Sequence, residues 1–285
     1  MGVSPKRHGH GRLGDYVLIE QLGKGAMGEV WRGMHVKEGF QVAVKLATGM
    51  DQRADAMDSF FREVQTAGRL RHPYIAHLYD QGTVSAKEAE TCSFDEGSPY
   101  IVLEFVGGTR LTKLCGRISF SEVKTILLQV LDAIAYAHGT GVIHRDIKPS
   151  NIVRSADGHS IKLVDFGVSL YGPTWDDIAD NWTLGKSVSG TPTYMAPEQV
   201  RGEHRSIGPQ SDLYAVGCLA FTLVAGRPPF GKGAGQSSED VMRLQLHAPI
   251  PPLPEGTDAP PEFQNWMRKL LEKDAGLRAQ RAATV

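Results

Sequence analysis

The sequence predicts an α+β chain in two parts, β-rich up to residues 105–108 and helix-rich beyond. Three observations carry this. Between Tyr16 and Val44, short β-branched and aromatic runs are broken by glycine. From Ser119 to Ala135, apolar residues recur at helical period behind a capping box. Gly107-Gly108 separates the two textures. The length of 285 residues suits such a plan, because a chain of that size buries roughly three quarters of its unfolded surface, enough for one large domain or two lobes with separate cores.

The elements follow in order. Residues 1–13 read as a flexible tail: Lys6, Arg7 and Arg12 lie among Gly and His with no apolar run behind them, so this is no signal peptide. Lys6 weakens a myristoylation reading of Gly2, and His8 and His10 lack a third metal ligand. Strands are expected at Val17-Leu18-Ile19, Glu29-Val30-Trp31 and Gln41-Val42-Ala43-Val44. Phe60, Glu63, Val64, Ala67 and Leu70 then keep helical spacing, with an acid beside the apolar stripe that calls for a cationic partner. Strand signals return at Ile75 to Tyr79 and Tyr100 to Phe105, with Ser85 to Ser98 read as a surface loop. Beyond the glycine pair, Ser119 and Glu122 form the capping box of a helix. Further apolar helices are expected near Leu213 to Val224 and Phe263 to Leu271, with proline-rich loops between them.

Composition excludes several functions. With 31 Lys+Arg against 32 Asp+Glu, the net charge of -1 leaves no basic surplus for a nucleic acid backbone. The 3 Cys are scattered and never form a C-x-x-C pair, which argues against a disulfide framework or zinc knuckle and for a reducing, cytoplasmic setting. The longest uncharged apolar stretch, Leu213 to Gly226, is shorter than the roughly 18 residues a membrane span needs and reads as a buried helix.

Gly23-Lys24-Gly25-Ala26-Met27-Gly28-Glu29-Val30 matches G-x-G-x-x-G-x-V, in which backbone N–H groups can approach phosphates closely. A dinucleotide fold would need a helix next, whereas Val30-Trp31-Arg32-Gly33 reads as a second strand, so a glycine-rich hairpin is expected. A Walker A loop is excluded, since Asp180 stands where the first glycine before Gly185-Lys186-Ser187 belongs. In Val42-Ala43-Val44-Lys45, strand period places Lys45 with Ala43, opposite Val42 and Val44. Alone it would be a surface lysine; with Glu63 on the next helix, an ion pair accounts for both.

His144-Arg145-Asp146-Ile147-Lys148-Pro149-Ser150-Asn151 follows a short apolar run read as a strand, and Asp165-Phe166-Gly167 follows Ile161-Lys162-Leu163-Val164. Together with the glycine loop, Lys45, Glu63 and Ala196-Pro197-Glu198, these segments match the protein-kinase signature set in order and spacing. The chain resembles a Ser/Thr protein kinase catalytic domain, and is most similar to the eukaryotic-like kinases of bacteria. The resemblance spans about Tyr16 to Arg278 and implies a bilobal fold, with an N-lobe over 14–106 and a C-lobe over 107–285.

The resemblance also implies the chemistry: a non-specific Ser/Thr protein kinase, a transferase using ATP and Mg²⁺, with Mn²⁺ as a substitute. Asp146 would accept the proton of a substrate hydroxyl, Lys148 would neutralise the γ-phosphate, and Asn151 with Asp165 would hold the metal. Lys45, held by Glu63, would bind the α- and β-phosphates. Leu22 and the loop from Gly23 to Gly28 would cover the nucleotide, and Val30, Ala43 and Leu103 would enclose adenine, with the backbone from Glu104 to Val106 as hinge. Arg145 would pair with a phosphate on Thr183, Ser187 or Ser189, placed there by autophosphorylation in a transient homodimer. Thr191 would bond the catalytic Asp and Lys; Lys148 and Thr191 both point away from a tyrosine kinase.

Glu198 would pair with Arg278 across 80 residues, and Asp212 would either cap a helix or fix the catalytic loop backbone. Ala67, Ala275 and Ser150 depart from the family pattern: Ala67 suggests a loosely packed helix, Ala275 no consequence, and Ser150 removes one reason to expect a basic target motif, which leaves the target sequence open. Protein substrates are implied, and a pseudokinase scaffold is the rival class, which commonly lacks a residue equivalent to Lys45, Asp146 or Asp165. The chain stops where a final helix would be under way, so it is expected to be a piece of a longer protein whose linker, membrane span or sensor lies downstream.

Overall fold

The computed structural model describes residues 11–25, 28–47, 54–92, 94–165, 192–231 and 236–282. The chain forms two compact units, Met1–Gly68 with His77–Phe105, and Arg69–Ala76 with Val106–Val285.

The first unit is built on an antiparallel sheet of β1 (Arg12–Leu13), β2 (Tyr16–Gly25), β3 (Gly28–His35), β4 (Gln41–Leu46), β5 (Leu78–Thr83) and β6 (Pro99–Glu104), in the order β1-β2-β3-β4-β6-β5. Strand period sorts its faces. Val42, Val44 and Leu46 point into a core with Leu13, Leu18, Tyr100 and Val102. The opposite face carries the residues between them. The flexible tail expected over 1–13 does not extend to Leu13, which is a fully buried member of this core, and residues 1–10 lie outside the described ones.

Two helices accompany the sheet, α1 (Ala54–Ala67) and α2 (Ala86–Thr91). The second corrects the loop expected over Ser85 to Ser98. Its signal was present: Ser85 Oγ accepts the Glu88 N–H at 3.4 Å while Glu88 Oε2 accepts the Ser85 N–H at 2.8 Å, a capping box. Glu88 Oε1 also accepts the Gly14 N–H at 2.6 Å, which ties the β1–β2 turn to α2.

The second unit holds a small antiparallel sheet, β7 (Gly108–Arg110), β8 (Ile152–Ser155) and β9 (Ile161–Leu163), and five helices among the described residues: α3 (Phe120–Gly139), α4 (Pro197–Val200), α5 (Pro209–Ala225), α6 (Ser238–His247) and α7 (Pro261–Leu270). Its axis is α5, buried on every side from Ser211 to Leu223, as an all-round apolar helix must be. Gly217 permits this packing, since a Cβ there would lie 3.0 Å from Leu270 and Leu271. Within α5, burial pushes the Cys218 thiol up to about 12, and all three cysteines are free. No helix among the described residues is long and apolar enough to cross a membrane.

Two strand expectations shift. Of Ile75 to Tyr79 only Leu78 and Tyr79 are strand, as the start of β5, while Ala76 donates its N–H to Leu163 O at 2.9 Å and Tyr74 O accepts from Leu163 N–H at 2.8 Å. These bonds to β9 place residues 69–76 with the second unit, although they precede the 105–108 boundary. The run before His144 is not a strand either, because the Val142 N–H turns back to Ala137 O at 2.9 Å and closes the end of α3.

Candidate active site

In the first unit, β2 and β3 form the glycine-rich hairpin. Gly25 pairs with Gly28, so only Ala26 and Met27 connect the strands; these two residues lie outside the described ones. Gly28 has φ 129°, and a Cβ there would stand 1.8 Å from Leu46 O, so no other residue fits. At Gly23 a Cβ would meet nothing within 4 Å, and its strand backbone borders open space. Lys24 bridges to Glu29 at 2.8 Å across the hairpin, and Leu22 is exposed.

Strand register assembles the rest of this face. Val30 stands opposite Lys45, and Ala43 opposite Leu103, so these four side chains share the half-buried face turned away from the core. Lys45 thus sits with Ala43, as its strand period requires. Glu63 lies on α1; its side chain is outside the described residues, and the Lys45–Glu63 pair falls there too. Glu104 closes β6 and its Oε2 accepts the His77 N–H at 3.2 Å. Val106 begins the second unit.

In the second unit, the segment from His144 to Asn151 forms a closed hydrogen-bonded loop. Asp146 Oδ2 meets Lys148 Nζ at 2.7 Å and accepts from Asn151 Nδ2 at 2.8 Å. The same Nδ2 donates to Asp146 O at 2.9 Å, which fixes the amide and leaves Asn151 Oδ1 as an acceptor. With Oδ2 engaged, Oδ1 is the Asp146 oxygen left to meet a hydroxyl. Asn151 O accepts the Val164 N–H at 2.9 Å, so the end of β9 delivers Asp165 beside the loop.

A buried carboxylate underlies this loop. Asp212, 1 % exposed on the first turn of α5, accepts the backbone N–H of His144 at 2.8 Å on Oδ2 and of Arg145 at 2.7 Å on Oδ1. His138 Nε2 donates to Oδ2 at 2.8 Å, since an ionised carboxylate only accepts. The helix cap itself is Gly208, so Asp212 serves the loop and not the helix end. His144 is fully buried, and desolvation holds its imidazole below the ordinary range against the opposing pull of Asp212, Asp146 and Asp165. Its Nδ1 accepts the Asp146 N–H at 3.3 Å.

Arg145 at φ 66° and Asp165 at φ 68° are the only non-glycine residues with positive φ among the described residues. Each such backbone costs about 1–3 kcal/mol and persists only where its surroundings impose it. Both flank the loop chemistry. Arg145 O accepts from Gln199 Nε2 at 3.0 Å, while its buried Nε has no hydrogen-bond partner among the described residues. Phe166, Gly167, Thr183, Ser187, Ser189 and Thr191 lie outside the described residues.

Glu198 and Arg278 meet as a two-pronged pair, Nη1 to Oε1 at 2.9 Å and Nη2 to Oε2, with both side chains sealed from solvent. Ser211 Oγ donates to Glu198 Oε1 at 2.7 Å and Arg278 Nη1 to Gln210 O at 2.8 Å, so the charges are hydrogen-bonded as well as paired. Ala275 does not disturb this. Sequence reasoning missed His138 and Gln199. Neither had a signal, because each matters only through a partner more than 50 residues away.

No metal-like cluster of three or more His, Cys, Asp or Glu exists among the described residues. Asn151 Oδ1 and the Asp165 carboxylate are hard oxygen donors of the kind that suits Mg²⁺ with part of its water retained.

The family described as protein kinase domain matches residues 16–284. The probable serine/threonine-protein kinase PknB of Bifidobacterium longum is 35% identical over 95% of this chain and 38% of its own length. Serine/threonine-protein kinase PknB of Mycolicibacterium smegmatis is 35% identical over 94% of the chain and 41% of its own length. PknA of Mycobacterium tuberculosis is 34% identical over 93% and 58%. The chain therefore spans between about two fifths and three fifths of these relatives.

Proposed function

Since the chain belongs to the protein kinase family, we propose that it transfers the γ-phosphate of ATP to Ser and Thr hydroxyls of proteins. The observation that carries this reading is the Asp146–Lys148–Asn151 constellation held on Asp212. Asp146 Oδ1 accepts the hydrogen bond of the substrate hydroxyl and aims its oxygen at the γ-phosphorus. A new P–O bond forms, the bond to the β–γ bridging oxygen breaks, ADP leaves, and the hydroxyl proton passes to Asp146. Lys148, beside the carboxylate, balances charge on the transferring phosphoryl oxygens. Asn151 and Asp165 would hold Mg²⁺, which when bound neutralises phosphate charge; Mn²⁺ suits the same oxygens. The Gly23–Gly28 hairpin and Lys45 bind the remaining phosphates, and Val30, Ala43 and Leu103 give an apolar wall for adenine.

Because the loose transition state leaves little covalent chemistry to the protein, this arrangement works by positioning and electrostatics, with turnover on the order of 1–100 s⁻¹. Arg145 suits regulation: a buried guanidinium N–H that has no hydrogen-bond partner among the described residues, beside the catalytic aspartate, supports pairing with a phosphate on Thr183, Ser187 or Ser189. Full activity after changing all three to Ala refutes that part. The main test is labelled ATP with wild type and Asp146→Asn. Transfer by wild type and its loss in the variant are expected; no transfer by wild type with Mg²⁺ or Mn²⁺ overturns the assignment and favours a scaffold.

A further inference from the structure

Gln245 on α6 is completely buried. A buried primary amide has to place two N–H donors and a carbonyl, and this one places all of them. Its Nε2 donates to Pro192 O at 3.2 Å and to Thr193 O at 2.5 Å, and its Oε1 accepts the Tyr214 hydroxyl at 2.6 Å. Its backbone carbonyl accepts Lys273 Nζ at 2.7 Å, which also donates to the same tyrosine hydroxyl at 3.2 Å and lies 3.4 Å from the centre of the Phe230 ring. Both amide N–H groups are thus spent on one short turn, Pro192–Tyr194, and the other bonds lock the amide in the orientation that does so.

We propose that Gln245 is a positioning residue for protein substrate. This rests on the kinase reading, in which Thr191 would bond Asp146 and Lys148 beside the acceptor hydroxyl and is followed at once in the chain by Pro192 and Thr193. Gln245 fixes the carbonyls of Pro192 and Thr193, and so the path of that backbone, while Tyr214 and Lys273 orient the amide. Among the described residues none of the hydrogen bonds made by the Gln245, Tyr214 and Lys273 side chains ends on the Asp146 loop or on the nucleotide-facing strands, so the effect is expected on the protein acceptor and not on nucleotide affinity. A residue that merely fills the core has no reason to separate the two.

The test is steady-state transfer from ATP to casein, with thermal midpoints measured alongside. Gln245→Met keeps length and apolar bulk but drops every side-chain hydrogen bond. It is expected to raise KM for casein by roughly tenfold or more, with KM for ATP within about twofold of wild type. Tyr214→Phe removes the hydroxyl that bonds Gln245 Oε1 and accepts from Lys273 Nζ, leaves the amide N–H bonds in place, and should shift casein KM the same way by about threefold; it decides the matter if Gln245→Met does not fold. Unchanged KM values in both variants overturn the proposal, as does a parallel loss for both substrates in step with the thermal midpoint. Failure of wild type to phosphorylate casein at all instead removes the kinase reading on which the proposal stands.

Discussion

Replacing Asp212 by Asn tests whether one buried carboxylate holds the catalytic loop. The aspartate takes three donors at 2.7 to 2.8 Å, His138 Nε2 and His144 N–H on one oxygen and Arg145 N–H on the other. Asn has one acceptor oxygen, so in either orientation its amide nitrogen faces at least one of these donors. The least damaging choice keeps the two bonds on Oδ2 and turns the nitrogen toward the Arg145 N–H. That loses one charge-assisted bond and leaves a part-buried N–H unsatisfied, together about 2–4 kcal/mol. The same bond helps hold Arg145 at φ 66°, a strained backbone that relaxes when released and carries Asp146 with it. A displacement of about 1 Å at a reacting group costs about 10²-fold in rate. Equilibrium urea denaturation read by tryptophan fluorescence should show the stability loss, and steady-state phosphotransfer a fall of about 10²-fold in kcat, with KM for ATP changed less than about threefold. Stability within about 0.5 kcal/mol of wild type together with kcat within about threefold would refute this account.

The Glu198–Arg278 pair offers a stability test: Arg278→Met strands a sealed carboxylate and should cost about 3–5 kcal/mol in urea denaturation, whereas Glu198→Leu with Arg278→Met should recover much of it, since both charges are then gone. Gly28→Ala forces a Cβ against Leu46 O at positive φ; a loss of about 1–3 kcal/mol and a higher KM for ATP are expected, with wild-type values in both counting against the tight hairpin. Burial keeps His144 neutral below the pH at which an unfolded imidazole protonates, about 6.5, so the unfolded chain binds the extra proton. Stability should then fall as pH drops below about 6.5, by up to about 1.4 kcal/mol per pH unit, and His144→Asn should flatten that slope relative to wild type. Ser85→Ala removes the α2 cap and should cost about 1 kcal/mol by thermal denaturation, with no change in turnover.

Local signals were legible in the sequence because they depend on neighbours a few residues apart. Alternation in β4 set which face Lys45 shares with Ala43, the Ser119–Glu122 box started α3, and unbroken apolarity marked α5 as buried. The order of the glycine loop, Lys45, the Asp146 loop and Asp165 was enough to indicate the family. The α2 cap was equally legible at Ser85 and Glu88 and was overlooked because the surrounding stretch is acidic and polar. What the sequence could not determine lies in long-range pairing: Ile75 joining β9 in place of β5, His138 meeting Asp212, Gln199 holding Arg145, and Gln245 reaching Pro192 and Thr193. A buried polar group needs a partner but does not specify which one. Packing around α5 brings these distant donors and acceptors within bonding distance, and that choice belongs to the tertiary structure.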